Sequence, residues 1–141
     1  ERFNELKEAE NQLGVKYLGS VKLKTFNEKN IFNSVVRKRA RHVVTENYRV
    51  IKAKKSLQHN NITQFGKLMN ESHWSYSKDF EASTGDVDNI INKSIECGAL
   101  GARLTGGGFG GFTVSLLKKN NFQNWYNKII EFYPRDKIFE V

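Results

Sequence analysis

The segment "GARLTGGGFGGF", Gly101–Phe112, holds two patterns in twelve residues. "ARLT" and the following "FTVSLL" are short, partly β-branched runs on either side of a glycine tract, which predicts a β-hairpin. The tract from Gly106 to Phe112 is five glycines and two phenylalanines. Glycine loses more conformational entropy on ordering than any other residue, and a hairpin tip needs only one or two. The excess therefore asks for a purpose. No Lys-Ser/Thr follows the last glycine, so this is not a Walker phosphate loop. The spacing Gly106-x-Gly108-x-x-Gly111 matches G-x-G-x-x-G, but a strand follows where a dinucleotide fold needs a helix. What remains is a loop whose backbone N–H groups can line one concavity. A second backbone or a phosphate could approach it closely, with Thr105 at its entrance.

Outward from the hairpin the apolar period changes from two to 3.6. Upstream, Val87, Ile90, Ile91 and Ile95 form a helical stripe, with Thr84 or Asp86 as N-cap and Gly98 as a left-handed stop. Before it, Ile62, Phe65, Leu68, Met69 and Tyr76 mark another helix. A longer one runs from Ile31 to about Leu57 on Val36, Ala40, Val43, Val44, Val50 and Ile51. Residues 1–30 read as a short helix at Asn4–Gln12 and a strand-like "VKYLGSVKL". Downstream, Phe122, Trp125, Tyr126, Ile129, Ile130 and Tyr133 define a last amphipathic helix, ended by Pro134. "KIFEV" (137–141) reads as a final strand. The fold class is α+β: an antiparallel sheet with helices packed on one face, in the split β-α-β-β-α-β, ferredoxin-like connectivity.

With 141 residues, 38% of them hydrophobic and 12% aromatic, the chain suits one domain with a real core. No apolar run reaches the roughly 20 residues that span a bilayer, and "ERFNELKEAE" has no apolar signal core. The expected setting is cytoplasmic, in keeping with a single cysteine, Cys97. The opening looks like a helix already under way, as in a fragment of something longer.

The net charge of +8 raises the question of an anionic partner. "RKRARH" at Arg37–His42 is the densest basic stretch. On a helix whose buried side is Val36, Ala40, Val43 and Val44, it places Lys38, Arg41 and His42 away from that side, with Arg37 and Arg39 flanking. No aromatic residues are interleaved, so neither nucleic acid nor membrane is the expected partner. His73, in "NESHWSYSKDFEAS", has Ser72, Asp79 and Glu81 near it in sequence. Metal binding would need more ligands at workable spacing, and a Ser-His-Asp triad is a matter of space rather than adjacency. The favoured reading is a structural polar cluster closing the end of a helix. Cys97, near a helix C-terminus where the dipole disfavours a thiolate, reads as a packing residue.

Four stretches in order resemble galactokinase, a sugar kinase of the GHMP superfamily. "GARLTGGGFGGFTVSLL" is similar to its third conserved motif, and "RARHVVTEN" (Arg39–Asn47) to its signature helix. "FGKLMNESHWS" (Phe65–Ser75) resembles a G-x-L-M-x-x-S-H-x-S segment, and "DFEAS" (Asp79–Ser83) the acidic-aromatic stretch after it. "ERFNEL" resembles the remnant of a further motif. Three places depart. Phe112 stands where the family has a small residue or cysteine. Ser75-Tyr76-Ser77-Lys78-Asp79 lacks an arginine. Thr84-Gly85-Asp86-Val87-Asp88 lacks a proline.

The resemblance implies transfer of the ATP γ-phosphoryl group to the 1-hydroxyl of galactose with Mg²⁺. It makes residues 1–141 a GHMP kinase C-terminal domain, a fragment without the N-terminal domain that holds the sugar grip, the phosphate loop, and the catalytic aspartate and arginine. No catalytic residue and no metal ligand is expected in this chain, which alone would be inactive. Thr105, Gly106, Gly107, Gly108, Phe109, Gly110 and Gly111 are expected to support the substrate and phosphate loop. The implied partners are galactose, ATP and the chain's own N-terminal domain, with self-association of the isolated fragment through its exposed interdomain face. A kinase of N-acetylgalactosamine or galacturonate, or a non-catalytic galactokinase-like sensor, remains an alternative.

Overall fold

The glycine tract forms the predicted hairpin. In a computed structural model that describes residues 1–31 and 33–141, strands β1 (Gly101–Thr105) and β2 (Phe112–Leu116) pair antiparallel, Gly101 opposite Leu116 and Thr105 opposite Phe112. Six α-helices surround them: α1 (Arg2–Leu13), α2 (Leu23–Glu28), α3 (Ser34–Gln58), α4 (Ile62–Lys78), α5 (Gly85–Glu96) and α6 (Phe122–Ile129). Three starts are fixed by side-chain caps. Asn33 accepts from the N–H groups of Val35 and Val36, Asn61 from that of Gln64, and Thr84 from that of Val87.

The apolar residues gather in three clusters. Ala9, Leu18, Phe26, Val36, Ala40 and Val44 join α1, α2 and α3. Val87, Ile91, Ala102 and Leu104 lay α5 on one face of the hairpin. Cys97, Ala99, Trp125 and Ile129 bring α6 to the same end, where the Trp125 Nε1–H reaches the Ser94 carbonyl at 3.2 Å. Cys97 is buried as a packing residue.

Helix α4 covers the outer edge of β1, and residues 66, 70 and 73 make that contact. Gly66 allows contact with Leu100 and Gly101; a Cβ on it would lie 2.5 Å from the Leu100 carbonyl oxygen. One helical turn on, the Asn70 side chain accepts the Ala102 N–H at 2.8 Å. The next turn brings His73 Nδ1 to the Leu104 N–H at 3.4 Å. Asn70 and His73, three residues apart on one face of α4, thus take the alternate amides of Ala102 and Leu104.

The structure departs from expectation in five places. Helix α6 ends at Ile129, and a turn and bend over 130–133 separate it from Pro134. "VKYLGSVKL" is not a strand: a 3-10 turn at Leu18–Ser20 buries Leu18 against α3. "KIFEV" forms no ladder. A 3-10 turn at Arg135–Lys137 satisfies the Lys137 and Ile138 amides locally, and Ile138 packs beside the Trp125 cluster. The sheet therefore has two strands among the described residues, the centre of the expected connectivity. Val50 and Ile51 are exposed, because α3 there flanks a groove and no neighbouring element covers them. Finally, Arg39 and His42 are buried and not solvent-facing.

Gly66→Ala and Gly101→Ala should each cost about 2–3 kcal/mol of stability by overpacking. Each new Cβ meets backbone across the α4–β1 contact. Gly107→Ala, with nothing within 4 Å of its Cβ position, should stay within about 0.5 kcal/mol. Urea denaturation of the three variants measures this.

Candidate functional site

The loop between the strands has a packed side and an open side. On the packed side, the Phe109 N–H donates to the Ala82 carbonyl at 2.7 Å. A Cβ on Gly108 would lie 2.6 Å from the Tyr76 hydroxyl and 2.7 Å from the Ala82 oxygen, at a φ of 95°. Only glycine fits there. Phe109 itself adopts a φ of 59°, a left-handed conformation unusual for a bulky residue. On the open side, Cβ positions at Gly106, Gly107 and Gly110 meet nothing within 4 Å. Phe109 and Phe112 are 67% and 70% exposed beside them.

Beneath the loop, Asp88 at the start of α5 collects polar groups. It accepts from the Ser77 hydroxyl at 2.7 Å and the Ser83 hydroxyl at 2.6 Å. His73 Nε2 lies 3.1 Å from Asp88 Oδ1, off the line of a good hydrogen bond. Because His73 Nδ1 faces the Leu104 N–H, the neutral ring carries its hydrogen on Nε2. Burial pushes the His73 pKa down, and the nearby Asp88 carboxylate only partly opposes it. The histidine is thus a structural joint between α4, α5 and β1, as the polar-cluster reading expected. Its partner is Asp88, not the sequence neighbours Ser72, Asp79 or Glu81.

Those neighbours belong to a second network, facing α3. The Arg39 guanidinium, 2% exposed as a residue, donates to Glu5, to the Asp79 carbonyl and to Glu81. Arg41 pairs with the Asp79 carboxylate. His42 Nδ1 lies 3.0 Å from the Ser75 hydroxyl, its ring against Tyr76 and Phe80. Glu46 accepts from Ser72 and from Arg49, and Arg103 of β1 stands 3.5 Å away. Burial alone would raise the Glu46 pKa; the Ser72 hydroxyl and Arg49 outweigh it and hold the carboxylate below its usual range. "RARHVVTEN" and "SHWSYSKDFEAS" are therefore the two halves of one interface. Of the remaining cations in "RKRARH", Arg37 donates to the Lys29 carbonyl over the Phe26 ring, and Lys38 stands 3.9 Å from Glu81.

Among the described residues no three His, Cys, Asp or Glu side chains gather as a metal site, and no helix is long and apolar enough to cross a membrane. An apolar groove of about 690 Å³ opens between α3, α4 and the outer face of the hairpin, lined by Val50, Leu57, Phe65 and Val114.

The family of GHMP kinases, C-terminal part, matches residues 53–135. The chain belongs to the GHMP kinase C-terminal family. It is 40% identical over 127 residues to a galactokinase of Clostridium acetobutylicum, covering 88% of this chain and 33% of that protein. It is 37% identical over 138 residues to a galactokinase of Staphylococcus saprophyticus, covering 96% and 36%. The crystal structure of Lactococcus lactis galactokinase complexed with galactose superposes with a TM-score of 0.86 at 33% identity, covering 92% of this chain and 35% of that one. The chain spans about a third of the length of these relatives. The α+β class and the GHMP kinase assignment both stand.

Sequence reasoning left out Asn70, Asp88 and Glu46, whose partners lie 32, 11 and 26 residues away. For Asn70 a signal existed: Gly66, Asn70 and His73 share one helical face.

Burial lowers the His42 pKa from 6.5 to about 4. The unfolded chain then binds more protons than the folded one between these values. Stability should be full above pH 6.5 and fall as pH drops toward 4, by about 2–3 kcal/mol for this ring at most. His42→Gln should make the pH dependence of the urea midpoint shallower across that window, with His73 supplying a remaining slope of the same sign.

Proposed function

We propose that residues 1–141 are the C-terminal domain of a galactokinase, a cytoplasmic enzyme that transfers the γ-phosphoryl group of ATP to the O1 hydroxyl of galactose. The observation that carries this reading is the two-sided loop. One side is fastened to the α4–α5 turn by Gly108 and Phe109. The other presents Gly106, Gly107 and Gly110 with nothing against them. That open side suits the close approach of a second backbone or a phosphoryl group, which any Cβ would hinder. Thr105 through Gly111 thus form a supporting wall, and the groups that grip sugar and ATP are supplied by the N-terminal domain. Relatives about three times as long, one complexed with galactose, support the substrate.

Phosphoryl transfer needs charge neutralisation, which Mg²⁺ bound with ATP supplies. In this reading the protein ligands of that ion belong to the N-terminal domain. What these residues do is exclude water and hold the wall in place. In this reading the group that activates the sugar hydroxyl belongs to the N-terminal domain as well, and the domain alone is expected to be inactive.

A coupled ADP-release assay tests both halves. The full-length protein should turn over galactose, and the 141-residue chain should show no galactose-dependent ADP release. Galactose-dependent turnover by the isolated chain would overturn the second half. Turnover of N-acetylgalactosamine or galacturonate in place of galactose, or sugar and ATP binding without turnover, would overturn the first. In the full-length enzyme, Gly108→Ala should lower kcat by about a hundredfold, the scale of an ångström-level displacement beside reacting groups.

A further inference from the structure

The wall is held from a distance. Arg39 lies on α3, and the glycine loop follows β1, yet a short chain of hydrogen bonds connects them through the turn between α4 and α5. We infer that Arg39 is a positioning residue for the glycine loop, acting through Glu81 and the Ala82 carbonyl. The functional side of this inference rests on the reading of the loop given above.

The links are few and directional. Arg39 Nη1 donates to the Asp79 carbonyl at 2.6 Å and Nη2 to Glu81 Oε2 at 2.6 Å, fixing the turn at both ends. Its third donor, Nε, is held by Glu5 of α1 at 3.0 Å, so the guanidinium cannot swing. Glu81 takes a φ of 52°, a conformation that costs about 1 kcal/mol or more for a non-glycine residue and persists only when neighbours impose it. Arg39 and Arg2 impose it. Arg39 holds the carboxylate, and Arg2 donates to the Glu81 carbonyl at 3.1 Å. The left-handed turn aims the next carbonyl, that of buried Ala82, at the loop, where it accepts the Phe109 N–H at 2.7 Å. Phe109 is itself left-handed, at 59°. The hydrogen bond thus joins left-handed Phe109 to Ala82, the residue that follows left-handed Glu81. The guanidinium that holds Glu81 is itself buried, its side chain 3% exposed.

A purely structural role for Arg39, joining α1 to α3 through Glu5, would not involve the loop. Glu81 separates the two roles. Its side chain is 48% exposed and pairs with Arg39 and Lys38, not with α1, so Glu81→Ala removes the Arg39–carboxylate link, leaving the bonds to the Asp79 and Glu81 carbonyls, without opening a core cavity. Amide hydrogen exchange of the 141-residue chain, read by NMR, is the measurement. Glu81→Ala should speed exchange at Phe109 by about tenfold or more, the loss of a charge-assisted restraint. Ala102, whose N–H is held by Asn70, and Ile91 in the α5 core should not change. Arg39→Lys, which keeps charge but loses the fork, should show the same pattern more weakly. Unchanged exchange at Phe109 in Glu81→Ala, or equal acceleration at Phe109, Ala102 and Ile91, overturns the inference. In the full-length enzyme, Glu81→Ala should lower kcat with KM for the sugar unchanged, because the wall positions and does not bind. Since the exchange arm needs no substrate, failure of the galactokinase reading and failure of this inference are distinguishable.

Discussion

The structure depends on the close approach of α4 to the outer edge of β1. A two-stranded sheet has two free edges, and an unpaired edge amide in a dry interior is costly. Here a helix does the work of a third strand. Gly66 brings the backbones together, Asn70 takes the Ala102 amide, and His73 takes that of Leu104. The match works because Asn70 and His73 share one face of α4 while Ala102 and Leu104 present their amides on one edge of the strand. Once that edge is fixed, the position of His73 places Asp88, and Asp88 binds Ser77 of α4 and Ser83 of the turn beside the loop.

What could be read in the sequence follows from this. Periodicity located α3, α4, α5 and α6, because their stripes meet large apolar partners. The glycine tract identified the hairpin, since no other element tolerates five glycines in seven residues. Hydropathy failed at Arg39 and His42. It assigns charge to solvent, but a guanidinium given three acceptors can be buried, and a histidine can be buried neutral. It failed again at "KIFEV" and "VKYLGSVKL". β-propensity describes fitness for a pleated, half-buried surface, and it forms a strand only where an edge is available to pair. The Leu18–Ser20 turn instead packs on α3.

The same network shows where the positive charge goes. Arg39 faces Glu5 of α1, Arg41 faces Asp79 at the end of α4, Arg49 pairs with Glu46 within α3, and Arg103 of β1 faces the same Glu46. Such pairs add little net stability, since desolvation offsets attraction at buried Arg39 and solvent screening weakens it at half-exposed Arg41 and Arg103. What they contribute is geometry: each fork admits one arrangement of its acceptors. That explains why the two most recognisable stretches outside the loop are rich in charge yet form an internal interface. The signature they carry is a positioning device, and the net charge of +8 is no guide to it.

The loop itself combines two demands that conflict in an ordinary hairpin. A tip that admits close approach has to lack side chains, and a tip without side chains has little to hold it still. The conflict is resolved by separating the two along the sequence. Gly106, Gly107 and Gly110 keep the outer side clear, while Gly108 and Phe109 fasten the inner side to Ala82 and Tyr76. The restraint comes from backbone atoms of a turn that is itself held from α3 and α1. A flexible glycine tract thereby gains a fixed position without losing its open face, which is the property the proposed supporting wall requires.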